Sequence, residues 1–430
     1  MSHSHDRDDE ITNRSSNLSF DQVLHTRLNR RSMLRGGMVS TVGIAGATSI
    51  GALALTACGG GSDAVSTPTP TPAAENLLSF PAVAKNTTDA VTVPAGYNAK
   101  VINALGDPLF AGTAAYKNDG TDTDFDKRSG DHHDGMEYFG LSAAGARDAS
   151  SSTRGLLVTN HEATSQDGVS SVYVHVTGGT KTLPRPASEV DKEIPLHGVS
   201  IVEVLKTSGA SGSWATVQAS PFNRRITPDT PIVLSGAGAG NFTKTKYSTN
   251  GLAGRGTLNN CGTGYTPWGT FLTGEENWAG YFTRNATDNT ARGGATAKSV
   301  VALNRYNRSQ GSASRHGWES AGADDRYARF VISQTGASTD GTDDYRNELN
   351  TFGYIVEVDP YDKSVAIKKR TSLGRFAHES AVFAKQLQAN LWRFTWMIRA
   401  ANTFTNSSPL KTGRPLMLAQ RTASRQEINS

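Results

Sequence analysis

The chain has 430 residues, a formal net charge of +4, 37% apolar and 19% charged side chains, and two cysteines. This length supports a sizeable core in one or two domains, and the composition excludes a multi-span membrane protein and a wholly disordered chain. Abundant glycine and short, turn-bounded apolar runs favour β structure over a helical bundle. Residues 58–384 carry 30 basic and 33 acidic side chains with no basic stripe, so we expect no nucleic-acid partner.

Residues 1–57 are typical of a bacterial export signal. Arg30 and Arg31 form a paired arginine ahead of the uncharged run 36–57, which is rich in glycine and alanine. This order resembles a twin-arginine signal, which the twin-arginine translocase reads. A transmembrane anchor fits less well, because the run is too polar and too rich in glycine for a good spanning helix.

The end of this run resembles the lipobox of bacterial lipoproteins, Leu-Thr-Ala-Cys, which places a lipid anchor on Cys58. The alternative is cleavage near residues 52–54 and release of a soluble protein. In either case we expect an exported protein, periplasmic or held at a membrane by lipid. Residues 58–78 then form a tether rich in Gly, Thr and Pro. A lipidated Cys58 leaves Cys261 without a disulfide partner, so that thiol is either buried and inert or coordinates something.

In the body of the chain, short apolar runs end in a carboxylate flanked by His or Asn. Runs 155–159, 268–273 and 373–377 lead into Asn160-His161-Glu162, Glu275-Glu276-Asn277 and His378-Glu379, and a fourth polar cluster is His132-His133-Asp134. Strands arranged radially, as in a β-propeller, would bring these acids to one point. Carboxylates crowded in this way have raised pKa values unless cations neutralise them, and Ca²⁺ suits an oxygen-rich site.

Other patterns exclude common hydrolase chemistries. The chain has no Gly-x-Ser-x-Gly nucleophile elbow and no His-Glu-x-x-His zinc motif. Runs 199–204 and 353–358 are predicted to be scaffold strands. The glycine-rich stretch 236–240 lacks the Lys-Ser/Thr of a phosphate-binding loop and is predicted to be a surface loop.

The segment 259–277 resembles the PhoX family of bacterial alkaline phosphatases through Asn-Asn-Cys-Gly-Thr-Gly-Tyr-Thr-Pro-Trp-Gly-Thr, followed by Glu-Glu-Asn. Further matches follow in the same order at 133–136, 160–162, 197–200, 221–225, 352–360, 374–376 and 378–379, so the resemblance covers about residues 79–384. It implies an all-β, β-propeller-like monomer, exported by the twin-arginine route, that hydrolyses phosphate monoesters at a cluster of calcium and iron ions.

The resemblance also implies residue roles. Glu162, Glu276 and Glu379 become metal ligands, with Cys261 a soft ligand for iron. Arg375 becomes a phosphate clamp, because a guanidinium group matches phosphate oxygens, and His161 is assigned with it to catalysis. Bound metals would polarise the phosphoryl oxygens and stabilise a nucleophilic oxygen, so no side-chain nucleophile is required.

Residues 385–430 differ from the preceding sequence: they lose acids, gain basic residues and show no strand pattern. Residues 394–399 can be encoded so that a one-nucleotide slip gives Tyr-Met-Asp-Asp-Pro-Arg, which resembles the next strands of the family. This predicts an out-of-frame tail and a propeller that lacks its last strands and further metal ligands. The alternative is a naturally divergent terminal segment.

Three alternatives to a phosphatase stay open at this point. A lipid-anchored propeller of this kind can bind a ligand or partner without catalysis, and a truncated product can be inactive. A metal-dependent, lactonase-like hydrolase can also use the same architecture. Assays with a panel of substrates would separate the lactonase-like hydrolase from a phosphatase.

Overall fold

The computed structural model describes Phe80 and residues 82–164, 174–176, 178–207, 212–386 and 391–398. The chain divides into one unit that ends at Ala82 and a second that runs from Val83 to Ser430 and contains the strands described below. Arg30, Arg31, Cys58, the tether and residues 399–430 lie outside the described residues. Within the described ranges, none of the helices has the length and apolar character needed to cross a bilayer.

The first sheet is antiparallel and is built from strands that follow one another along the chain. Its order is β1-β2-β3-β4, and β5 also pairs with β3. The predicted strand 199–204 lies in β3, where Val199, Ile201 and Val202 are buried. The strands are β1 His133–Gly140, β2 Arg154–His161, β3 Gly198–Lys206, β4 Trp214–Thr216 and β5 Arg224–Ile226.

The second sheet has the order β7-β6-β11-β10-β9-β8 and is antiparallel except between β6 and β11. Apolar side chains of both sheets form one core, which includes Phe139, Val158, Ile201, Phe271 and Val356. The strands are β6 Pro231–Ser235, β7 Ala253–Arg255, β8 Asn260–Tyr265, β9 Phe271–Glu275, β10 Ile355–Val358 and β11 Lys368–Arg370. The loop predicted at 236–240 follows β6 and is largely exposed.

Short helices occupy the longer connections. A second apolar core packs beneath the connection between β9 and β10, around Trp278, Phe282, Trp318 and Phe330. The sequence analysis assigns no elements to this connection, because its helices are only one or two turns long and carry little periodic signal. The helices are α1 Ala187–Glu193, α2 Asp288–Ala291, α3 Lys298–Arg305 and α4 Asp325–Ala328.

The predicted fold class is confirmed: the described chain is dominated by β-strands and is β-propeller-like, with sheets that do not close into a ring within the described ranges.

The sequence analysis finds no strand pattern in residues 385–430, and this is wrong for residues 391–398. Strand β13, Leu391–Ile398, pairs in antiparallel register with β12, His378–Gln386. The aromatic and aliphatic residues of 391–398 have high β propensity despite the basic residue among them. The out-of-frame origin of residues 385–430 stays a prediction.

Glycines on β8 and β9 let the backbone of β12 lie directly against them. A Cβ atom on Gly264 would lie 1.9 Å from the carbonyl oxygen of Ala381, and one on Gly274 would lie 2.3 Å from that of His378. Neither distance leaves room for a methyl group against a rigid backbone. The position of β12 therefore depends on these two glycines.

We expect Gly264→Ala to lower the free energy of unfolding by about 1–3 kcal/mol, because the added methyl group pushes β12 off the sheet. Urea unfolding measures the change. The matched control is Gly254→Ala on β7, where the new Cβ would have only ordinary contacts, the nearest at 3.4 Å from Thr351. Equal stability of the two variants would contradict the close packing described here.

Candidate metal centre

One edge of the two sheets collects the acidic residues. Strands β2 and β9 end at this edge, whereas β1, β8 and β12 begin there. The sequence pattern placed the acids at strand ends, which is correct for Glu162 and Glu276. It is wrong for Glu379, which lies at the beginning of β12, whereas Asp134, from the fourth polar cluster, lies at the beginning of β1. Antiparallel neighbours explain the difference, because one strand begins where its neighbour ends.

Three β-bulges lie side by side at this edge. They leave Asp134 and Gly135 of β1, Cys261 and Gly262 of β8, and Glu379 of β12 outside the regular pairing. A Cβ on Gly135 would lie 3.0 Å from the carbonyl oxygen of Cys261, and one on Gly262 would lie 2.9 Å from that of Glu379. Bulges redirect side chains out of the alternating pattern, so these three can turn functional groups toward a common point.

Asp134, Glu162 and Cys261 form the candidate metal cluster. One ligand atom from each of them lies within 4.8 Å of the others. Burial raises the pKa of Glu162 to about 7, and the negative charges of Glu276 and Asp134 add to this effect. Glu276 is itself buried. A cation placed among these groups would remove the repulsion, so the donor set fits a bound metal.

Cys261 is half-buried and has no disulfide. Burial raises the pKa of its thiol, and the acidic neighbours Asp134 and Glu276 raise it further. The thiol is therefore protonated unless a cation displaces the proton. Of the two possibilities left by the sequence, coordination fits these surroundings better than inert burial, because sulfur beside carboxylates suits a transition metal such as iron.

Two asparagines form hydrogen bonds with residues at the cluster. Asn259 has a left-handed backbone, with φ of 53°, and its Nδ2 donates a hydrogen bond of 2.8 Å to Oε1 of Glu162. Its carbonyl oxygen accepts a bond of 3.0 Å from the amide of Glu276. Asn160 donates from Nδ2 to the carbonyl oxygen of Cys261. The Oδ1 atoms of both asparagines are buried without a hydrogen-bond partner, which leaves acceptors for a water or a cation.

Sequence reasoning missed parts of this arrangement. Asp134 belongs to the polar cluster at 132–134 but not to the predicted ligands, and Asn259 belongs to the family motif without a predicted role. The Asp-Gly pair at 134–135 was the available signal for the first, since glycine permits close backbone approach. For the second, asparagine is among the few residues that tolerate a left-handed backbone.

His161 is fully buried, and neither of its ring nitrogens has a hydrogen-bond partner. Burial, helped by the positive charge of Arg225, holds the pKa of His161 well below its ordinary value. The imidazole is therefore neutral at physiological pH. Its ring meets that of His133 edge-on, with centroids 4.9 Å apart.

Arg375 is held by aromatic rings rather than by acids. Its guanidinium lies 4.2 Å from the ring centroid of Tyr306 and 5.4 Å from that of Trp278. Nη1 donates to the carbonyl oxygen of Leu349 at 3.3 Å. Trp278 follows Glu276 by two residues, so this arginine packs next to the segment that carries one of the predicted ligands. Stacking fixes the guanidinium while leaving donors for an anion.

A second group of possible ligands, His175, Glu189 and Glu193, is better explained without a metal. Arg185 forms ion pairs with both glutamates, at 3.3 Å and 2.5 Å. The indole nitrogen of Trp318 donates to Glu193 at 2.8 Å. These donors already satisfy the carboxylates, so this group is a structural ion-pair network.

Comparison with known proteins agrees with this geometry. The family described as "Alkaline phosphatase PhoX" matches residues 78–391, so the chain belongs to the PhoX family. Among solved structures, it is similar to Pseudomonas fluorescens PhoX in complex with vanadate, a transition state analogue, with 33% identity and a TM-score of 0.57. The match covers 72% of this chain and 46% of that one, so the chain spans about half the length of this relative. No curated protein sequence matches at a significant level.

Calcium binding at the cluster is expected to weaken as the pH falls below 7. Glu162 has a pKa near 7 before the metal binds, so below that pH a cation must displace its proton. The dissociation constant should rise about fivefold between pH 7 and pH 6 and level off above pH 8. Titration calorimetry in two buffers with different ionisation enthalpies measures both the affinity and the released proton.

The control for this measurement is Asp148→Asn, which removes an exposed acid remote from the cluster. It should bind calcium with the parent pH dependence. An affinity that does not change between pH 6 and pH 8 would show that Glu162 is not a ligand of the bound ion.

Proposed function

We propose that this protein is an exported, metal-dependent phosphatase that hydrolyses phosphate monoesters. The observation that carries the proposal is the cluster of Asp134, Glu162 and Cys261, with Glu276 beside it, in a member of the PhoX family. Crowded acids of this kind are stable only around cations or when protonated. Phosphoryl transfer needs positive charge at such a point.

The donor set divides between two kinds of cation. The carboxylates of Glu162, Glu276 and Glu379, together with Asp134, suit calcium, and the sulfur of Cys261 suits iron. When bound, the metals would supply Lewis-acid stabilisation of the charge that develops on the phosphoryl oxygens. Asn259 would hold Glu162 in its orientation through the 2.8 Å hydrogen bond, which keeps that carboxylate directed into the cluster.

Arg375 would orient the substrate by binding its non-bridging phosphate oxygens. The aromatic rings of Tyr306 and Trp278 restrict the guanidinium, so little conformational entropy is lost when it binds an anion. His161 would act beside the cluster as a neutral imidazole, which can donate a hydrogen bond from one nitrogen and accept one at the other. No other side chain is needed as a nucleophile in this scheme.

Hydrolysis of p-nitrophenyl phosphate tests this assignment. With calcium and iron supplied, we expect Glu276→Gln and Arg375→Lys each to lower kcat/KM at least 100-fold, through loss of a ligand and of the planar phosphate clamp. Arg305→Gln is the matched control, because Arg305 is an exposed arginine on α3. Vanadate, which occupies the solved relative, should inhibit the parent protein.

The predicted frameshift is tested by assaying two chains. The chain as written and the chain encoded after a one-nucleotide correction near codon 386 are expressed in parallel. Turnover by the corrected chain alone would support both the phosphatase and the frameshift. A chain that binds calcium but turns over no phosphate ester in either form would contradict the phosphatase and favour a lipid-anchored binding protein. Activity on lactones alone would favour the lactonase-like alternative.

Export and anchoring form a separate prediction. We expect replacement of both Arg30 and Arg31 by lysine to keep the protein in the cytoplasm, because the twin-arginine translocase requires the pair. Cys58→Ser should move the exported protein from the membrane to the soluble periplasmic fraction. Cell fractionation with immunoblotting measures both, and Cys261→Ser is the control for loss of a cysteine. A soluble parent protein would favour cleavage near residues 52–54 over lipidation.

A further inference from the structure

A cavity of about 790 Å³ lies beside β5. It is bounded by the loop 110–113, the turn Phe125–Lys127, β5 and the turn that follows it, and Lys363. None of the four residues at the cluster, Asp134, Glu162, Cys261 and Glu276, lines it. It contains Arg224 and Arg225; the charge of Arg225 acts on the pKa of His161, but the proposed phosphatase mechanism gives neither arginine a contact with substrate or metal.

These two arginines are half-buried cations without an acidic partner. Neither guanidinium has a carboxylate within ion-pair distance among the described residues. Instead, Nη2 of Arg224 donates to the carbonyl oxygen of Asp359, and Nη2 of Arg225 donates to those of Pro195 and His197. The Nε atoms of both, and Nη1 of Arg225, are buried and have no hydrogen-bond partner.

Burial also acts on the charge of these groups. It lowers the pKa of Arg225 to about 9, against a small opposing effect of Asp126. The guanidinium is still protonated at neutral pH. A buried positive charge with unengaged donors is unfavourable unless an acceptor enters, and an anion supplies both the charge and the acceptor atoms.

The other charged groups of the cavity leave a positive excess. Asp124 is paired with Lys127 at 3.3 Å, and Asp229 is paired with Arg326 at 2.9 Å. Of the lining residues, this leaves Asp126 as the acid that opposes Arg224, Arg225 and Lys363. Asp359 and Asp362 act on Arg224 from beyond ion-pair distance.

A further donor at the cavity suits an anion with several oxygens. The Oγ1 atom of Thr113 is buried and has no hydrogen-bond partner. It approaches from the loop 110–113, whereas the arginines approach from β5. Donors on separate elements match a tetrahedral oxyanion, which presents acceptors in several directions, better than a planar carboxylate.

We propose that this cavity is an oxyanion-binding site, separate from the metal cluster, that takes a phosphate-type group through Arg225, Arg224 and Lys363. The occupant is either free inorganic phosphate or the phosphate of an ester, because both offer the same oxygens to these donors. The site does not depend on the phosphatase assignment, since its residues lie outside the cluster.

Titration calorimetry on the metal-loaded protein tests the site with inorganic phosphate, sulfate and phenyl phosphate as probes. Glu276→Gln is used as the background, so that loss of the metal cluster is separated from loss of this site. We expect phosphate binding to persist in that background and to weaken at least tenfold on Arg225→Gln. Lys363→Gln, an exposed substitution, should weaken it about threefold, and Arg305→Gln should leave it unchanged.

The probes identify the source of the anion. Comparable binding of phosphate and sulfate with weak binding of phenyl phosphate supports a site for the free ion. Equal or tighter binding of phenyl phosphate supports a site for esters. Two results would overturn the proposal: phosphate binding that is lost in Glu276→Gln, or binding that is the same in Lys363→Gln and the Glu276→Gln background. The second result is decisive even if Arg225→Gln fails to fold.

Discussion

The close approach of β12 to β8 and β9 is the constraint on which the acidic edge depends. Backbone oxygens of His378 and Ala381 occupy the space that side chains at Gly274 and Gly264 would fill. With β12 in this place, the bulge at Glu379 lies beside the bulge at Cys261 and Gly262. Any larger residue at the glycines would separate the two bulges. The chemistry of the edge is therefore set first by backbone contact and only then by the acids.

Electrostatics acts against the fold at the same edge. Asp134, Glu162 and Glu276 would repel one another if all were ionised, and the burial of Glu276 and partial burial of Glu162 remove part of the water that would screen them. The protein has two ways to reduce this cost: a proton on Glu162 or a cation among the three. Proton uptake is available only below about pH 7, where the pKa of Glu162 lies. At alkaline pH the cation is the remaining way, which agrees with membership in a family of alkaline phosphatases.

The sequence predicted the composition of this edge better than its geometry. Acids after apolar runs located Glu162 and Glu276 correctly, because a buried strand that ends at a sheet edge leaves the next side chain there. The same rule could not place Asp134 or Glu379, since a bulge at the beginning of a strand leaves no periodic signal. The stacking of Arg375 on Tyr306 also lay beyond prediction, because it joins segments far apart in the chain, one of them in a connection to which the sequence analysis assigns no elements.

In other parts of the molecule, buried charged side chains form ion pairs with groups of opposite sign. Lys369 and Glu275 are fully buried and pair at 2.8 Å, and Arg329 pairs with Glu348 at 3.5 Å, so these ions have partners of opposite sign. Glu275 immediately precedes Glu276, and its other oxygen accepts bonds from the amides of Gly353 and Tyr354. The ion pair of Glu275 with Lys369 thus fixes the strand end that presents Glu276. In contrast, the cluster gathers negative charges and β5 gathers the positive charges of Arg224 and Arg225. In a fold that pairs its structural ions, such groups of like charge are where ligands of opposite charge are expected to bind.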